Sequence, residues 1–367
     1  MTRIADVLVL GGGAAGSACA RELARSGRRV VLVAPDRQPG AAWNAAAGML
    51  APQIEAHDDD ALYALGIAGR ERVVQVAGEL HNAGSDVGLR REGIVRLAQS
   101  ESAVAELRGR VSWQRQLCHA CDWLDGQEVH ERWPWLGPSF GALHAPREGA
   151  VDPAAWVEAL RADAVAAGAR ILTADATRLL RNNEAVVGVD TTDGPISAGA
   201  VVLAAGAWSP LITGGPRPIA VAPVRGQMAA FPWPDGAAPT IVYGDAGYLL
   251  WRNGEAIAGS TMEVAGFDAT TTPEGRSRIM ATAVRLLPAL AGIEPSRLWA
   301  GLRPVTPDGL PILGREPLAP GLWYALGGGR NGILFSAIFG LLTRELMDGA
   351  EPELDLAPFA ADRFWRW

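Results

Sequence analysis

Apolar runs of strand length alternate with helical spacing at the start of the chain. Residues 4–10, IADVLVL, form an apolar run of buried-strand length. GGGAAG follows, and SACARELARSG then shows helical spacing and stops at Gly27, a residue suited to a helix C-cap. RRVVLVAPD at 28–36 is the next apolar run. Strand, helix and strand within about 30 residues predict a βαβ unit.

Further on the pattern is mixed. Helical stretches at 61–83 and 101–109 surround a short strand, GIVRLA, at 93–98, and a tryptophan-rich piece runs from 113 to 136. DPAAWVEALRADAVAAG at 152–168 has an Asp cap and a proline in the first turn, a strong helix start. RILTADATRLLRN and AVVGVDTTDGPISAGAVVLAAG read as strands joined by hairpin turns. Residues 223–231 and 239–264 alternate like antiparallel strands, and 274–290 reads as a helix. GLRPVTPDGLPILG at 301–314 reads as loop with a short strand. GLWYALGGG at 321–329 is a strand entering glycines, and 333–349 is a strongly apolar helix ending at Gly349. The expected fold is α/β, with a discontinuous dinucleotide-binding domain at 1–85, 141–222 and 300–367. An antiparallel substrate-binding domain takes 86–140 and 223–299.

Length supports two lobes, since 367 residues exceed most single cores. A net charge of −7 and no basic cluster argue against a nucleic-acid partner. Three cysteines (Cys19, Cys118 and Cys121) do not make a disulfide framework and point to a reducing cytoplasm. The first 20 residues imitate a signal peptide, but Asp6 heads the apolar run and a helix pattern follows directly, so a cytosolic strand is expected. Residues 194–216 carry no charge, yet glycines and prolines interrupt every apolar stretch, so no membrane span is expected.

Gly11, Gly13 and Gly16 fit G-x-G-x-x-G in the strand–turn–helix setting that gives this motif meaning. The first permits a tight turn, the second lets the backbone approach a pyrophosphate, and the third lets helix and strand pack closely. Helix N-terminal amides then face the phosphates. An acidic residue should stand at the end of the second strand to hold ribose hydroxyls. Here that position is Ala34, with Asp36 two residues later.

AAWNAAAGMLAPQ (41–53), GYLLWR (247–252), GLRPVTPDGLPILG (301–314) and GGGRNGIL (327–334) carry a likeness over nearly the whole chain. VDP at 151–153, VVLAAGAWS at 201–209 and PVRGQM at 223–228 extend it. With these motifs the chain resembles the D-amino-acid-oxidase-like FAD-dependent flavoproteins, and among them the glycine oxidase group of thiamine thiazole biosynthesis. The resemblance implies that Gly11, Ala14 and Ala15 lie against the FAD pyrophosphate and that Ala34 and Pro35 border the ribose, with Asp36 nearby. Ala47, Gly48 and Met49 would lie beside the flavin ring, and Thr177 would meet the adenine end through its backbone. Gly328, Gly329, Arg330, Asn331, Gly332, Ile333 and Leu334 would wrap the pyrimidine edge. Tyr248, Arg303 and Arg330 would hold the substrate, mainly by its carboxylate. The expected substrate is a small amino acid or amine, the expected acceptor is O2, and a homo-oligomer is possible.

Residue chemistry agrees with that assignment. A small amino acid offers little surface, so its carboxylate must supply most of the binding. Arg presents a planar fork that matches a carboxylate, and a tyrosine hydroxyl adds a donor. Members of the family commonly carry a histidine and an aromatic just before the arginine of the last glycine loop, where this chain has Gly328 and Gly329. Trp251 stands where proline is common. The two glycines remove bulk beside the flavin, Trp251 would fill space from the other side, and N-alkyl glycines or D-amino acids become alternative substrates. Other signals are set aside. CHAC at 118–121 has no second pair for zinc, so no metal is expected, and HDDD at 57–60 reads as a solvated helix start.

Overall fold

The structure is a computed structural model and describes residues 5–365. One sheet has the spatial order Ile312–Arg315, Leu322–Leu326, Gly194–Leu203, Ala5–Leu10, Val30–Ala34, Arg170–Thr173. From Leu322–Leu326 onward these strands pair in parallel, and Ile312–Arg315 is an antiparallel edge. Ala176–Asn182 and Ala185–Thr191 add an antiparallel meander to the first half of Gly194–Leu203. Alternation decides how the sheet is covered. Val7, Val9, Val30, Leu32 and Val202 face the helices Ala14–Arg25, Pro153–Ala166 and Gly332–Met347. Leu8, Leu10, Val31, Val33, Val201 and Leu203 face the other way, onto Leu179, Val186 and Val189 of the meander. Each such buried side chain contributes about 1.5–3 kcal/mol relative to exposure.

The second sheet has the order Arg297–Val305, Ala222–Pro232, Glu255–Gly259, Tyr248–Arg252, Ile241–Tyr243, Ile94–Leu97, Gly141–Ala145, Asp122–Asp125. Helix Glu101–Gln116 packs Leu107 and Val111 onto one face, against Ile94, Leu143 and Leu250. Helix Pro273–Leu286 packs Ile279, Ala283 and Leu286 onto the other, against Val95, Val242 and Leu249.

Two expected boundaries move. Residues 301–305 are strand rather than loop, paired with Ala222–Gly226. Pro304 fits there because this is an edge strand, where a missing N–H is tolerated. Gly141–Ala145 pairs with Ile94–Leu97 in the second sheet, although 141 was expected to open the cofactor-side segment. Its sequence, GALHA, has no β-branched residue to announce a strand.

Candidate active site

The C-terminal ends of four adjacent parallel strands open into one cleft of about 700 Å³. Gly11 follows the first strand, Pro35 the second, Ala204 the third and Gly327 the last, and all four line it. This is where ligands bind in open parallel sheets. Helices Ala14–Arg25 and Gly332–Met347 begin at the cleft with no side-chain cap, so their first amides are free for a ligand.

The glycine turn is shaped by close approach. Gly11 has φ +108°, and a Cβ there would lie 2.5 Å from the carbonyl oxygen of Ala204. A Cβ on Gly16 would run into the Gly11 carbonyl, so this glycine seats the helix on the strand and does not line the cleft. Gly13, Ala14, Ala15, Ala34, Pro35 and Asp36 do line it. Ala47, Gly48 and Met49 form a facing wall, pinned by the Met49–Ala150 pair and by Arg252, which donates to the Ala47 carbonyl. Gly48 has φ +79°, and a Cβ there would meet the Val151 carbonyl.

Gly328, Gly329, Arg330, Asn331, Gly332 and Ile333 also line the cleft, but Leu334 turns into the helix-side core. Thr177 is likewise away from it. Its carbonyl accepts from the Thr213 amide at 3.0 Å, and its neighbours Asp175 and Ala176 reach the cleft instead. Sequence position marks the strand, but only the direction of each residue in the pleat decides which one faces the ligand. A Cβ on Gly328 would lie 2.8 Å from the Gly332 backbone, whereas Gly329, at φ +51°, has open space. Trp251 was expected to fill the cleft and does not line it. The Arg90 guanidinium lies over its ring at 4.8 Å.

Tyr248, Arg303 and Arg330 meet at one end. Arg303 donates to the Thr261 carbonyl at 3.0 Å and to Ser260 Oγ at 2.6 Å, which fixes the plane of its fork. Burial pushes its guanidinium below the usual arginine range, with Tyr248 opposing that shift and Arg330 adding to it. Burial pushes the Tyr248 phenol up, so it stays a proton donor. Its hydroxyl donates to Met228 Sδ at 3.3 Å, a weak acceptor that a better one can replace.

Glu55 escaped the sequence reading. Its Oε1 accepts from Tyr243 Oη at 2.8 Å and from Arg330 Nη2 at 3.1 Å. Arg330 is therefore held above the usual arginine range, first by Glu55. Tyr243 is buried, and burial, then Glu55, raises its phenol far above the usual range. The only sequence signal for Glu55 is one acid in the apolar stretch APQIEA. Gly226 was missed as well. A Cβ there would strike the Arg303 guanidinium, so the glycine makes the room that the fork occupies.

The cleft fits FAD on its own features: a glycine turn open to phosphates, two uncapped helix starts, and a Gly48 wall that any Cβ would block. A family model described as FAD dependent oxidoreductase matches residues 6–346. The chain is 33% identical to a glycine oxidase of Geobacillus kaustophilus, over 99% of this chain and 98% of that protein. The crystal structure of glycine oxidase from that organism superposes with a TM-score of 0.92, covering 99% of each chain. A bifunctional protein ThiO/ThiG of Trichormus variabilis is 32% identical over 99% of this chain but 55% of its own length. The iminodiacetate oxidase structure from Chelativorans sp. BNC1 matches at 26% identity, with a TM-score of 0.88 over 97% of this chain and 98% of that one. With that cleft and these likenesses together, the chain belongs to the FAD-dependent oxidoreductase family.

Proposed function

We propose that this chain oxidises a small, glycine-like amino acid at its Cα–N bond. The observation that carries the proposal is the pairing of charges at the end of the cleft. Glu55 neutralises Arg330, while Arg303 bonds only to neutral acceptors among the described residues, so the site keeps one uncompensated fork. A substrate carboxylate fits that fork, with the Tyr248 hydroxyl swinging from Met228 to give a further donor. Arg330 then orders Glu55 and Tyr243 around the pocket rather than acting as the main anion clamp.

Holding the carboxylate fixes where Cα and its hydrogen point, and such positioning supplies much of the rate. Burial by the surrounding walls excludes water and strengthens the clamp. The tyrosines stay protonated, so they donate and do not act as bases. FAD, held by the glycine turn at 11–15, the 47–49 wall and the loop 328–333, would supply the two-electron acceptor for the Cα hydride, with O2 as the final oxidant and hydrogen peroxide as its product. Substrate, O2 and water then yield the 2-oxo acid, ammonia and peroxide. We further propose that the product feeds thiamine thiazole assembly. The joining of a similar chain with a second unit in the Trichormus variabilis protein suits a product passed onward.

The open space at Gly329 favours a second substrate class, N-substituted glycines. An amine panel with peroxide detection separates the readings. Glycine giving glyoxylate supports the first, whereas turnover confined to N-alkyl glycines supports the second. Replacing Arg303 by alanine should lower kcat/KM by about a hundredfold or more, because the substrate carboxylate loses its charged partner. A flavin-containing protein inert to every amine, or an Arg303→Ala variant with unchanged kcat/KM, would sink the proposal.

A further inference from the structure

We infer that Arg161 is a binding residue for the adenosine half of FAD, standing in for the acid that the end of the second strand lacks. In dinucleotide folds a carboxylate at that strand end takes the ribose hydroxyls. Here the position is Ala34, a buried methyl group, and Asp36 lies out on the exposed turn. Arg161 approaches from a different element, the helix Pro153–Ala166, and lines the same cleft.

Its location is fixed from three sides. Nε donates to the Gly12 carbonyl at 3.0 Å, and Nη2 donates to the same oxygen. A Cβ built on Gly12 would lie 2.7 Å from Ala34 Cβ and 2.8 Å from Arg161 Nη2, so the guanidinium is a neighbour of residue 34. The Trp43 ring carries the guanidinium carbon 5.4 Å from its centroid, and the same ring sits 3.3 Å from a Cβ placed on Gly13.

Arg161 makes no ion pair among the described residues. Burial pushes its guanidinium below the usual arginine range, opposed by Glu158 on its own helix. A half-buried cation with spare N–H donors and no counter-anion calls for an acceptor from a ligand. The chemistry it would take is the ribose 2′ oxygen of an adenosine nucleotide, or a phosphate carried on it. An acid at residue 34 would repel a 2′-phosphate, whereas an arginine accommodates one. Tolerance of a 2′-phosphate therefore distinguishes the two designs.

The test uses the full chain stripped of flavin, titrated with FAD and with FMN, which lacks the adenosine half. 5′-AMP and 2′,5′-ADP compete in parallel titrations. The wild type should bind 2′,5′-ADP about tenfold more tightly than 5′-AMP. Arg161→Gln should weaken FAD about tenfold or more, leave FMN unchanged and abolish the 2′,5′-ADP advantage. Arg161→Lys, which keeps the charge, should keep part of that advantage. Thermal unfolding of each stripped variant, matched to the wild type, shows that the fold is intact. The inference is overturned if the wild type has no preference for 2′,5′-ADP. It is also overturned if Arg161→Gln leaves FAD binding unchanged, or weakens FAD with FMN, or 5′-AMP with 2′,5′-ADP, by the same factor. Equal losses would mean that Arg161 only braces the glycine turn.

Discussion

At the scale of single residues, charge pairing separates two arginines that look alike in the sequence. Arg303 and Arg330 both stand in motifs that suggest a substrate clamp. Glu55, far away in sequence, takes up Arg330 and leaves Arg303 as the open fork. The room for that fork comes from Gly226, paired across the strands with Gly301. Gly226→Ala should therefore displace the Arg303 guanidinium without touching the cofactor walls. Steady-state kinetics should show KM for the amino acid raised about tenfold or more, with an unchanged flavin absorption spectrum. Loss of flavin from this variant would instead mean that the glycine serves the cofactor.

At the scale of elements, one short helix carries Glu55 into the cleft, and a buried acid holds that helix. Glu148 is fully buried; its Oε1 accepts from the Gln53 amide and, at 3.4 Å, from the Ile54 amide, while Oε2 finds no partner among the described residues. Burial pushes its carboxyl up from 4.5 to about 8, against the pull of the Gln53 amide and of Arg70. The folded state thus binds this proton more tightly than the unfolded chain does. The stability it contributes is complete below pH 4.5, declines as pH rises toward about 8 and is flat above that. Glu148→Gln keeps a carbonyl acceptor for the two amides and removes the ionisation. Thermal unfolding from pH 5 to 9 should show a flatter profile for this variant and a higher Tm than the wild type at pH 9. An identical pH slope in both proteins would contradict the assignment.

The pH 5 to 9 experiment probes one helix, but the same network reaches farther. Gln53 Oε1 accepts from buried Arg70, and its amide donates to Gln114, so helices Ala61–Asn82 and Glu101–Gln116 are tied to the segment that positions Glu55. None of these side chains lines the cleft, and only Gln53 falls in a motif, as the last residue of AAWNAAAGMLAPQ. Their partners are distant in sequence, which is why pattern alone could not single them out.

At the scale of the whole molecule, the cleft lies where both sheets contribute walls, so cofactor binding and folding are coupled. A ligand that binds only the folded state at a thousand times its Kd adds about 4 kcal/mol of stability. The FAD-loaded chain should therefore unfold several degrees above the stripped chain, and FMN should give a smaller rise because it leaves the adenosine end empty. Equal Tm values with and without FAD would argue against a built FAD site.

The sequence by itself determined the parallel core, the glycine turn and the family motifs. Those features are local: apolar runs of period two and 3.6, and glycines whose φ or close approach no other residue tolerates. Tertiary structure decided the rest. It made Pro304 part of an edge strand, turned Leu334 and Thr177 away from the cleft, and set Trp251 under Arg90. It also brought Glu55 to Arg330 and Arg161 beside Ala34. These outcomes depend on which way a side chain leaves its element and on what meets it there. No local pattern encodes that meeting, because the two partners are fixed by packing between elements that the chain order keeps apart.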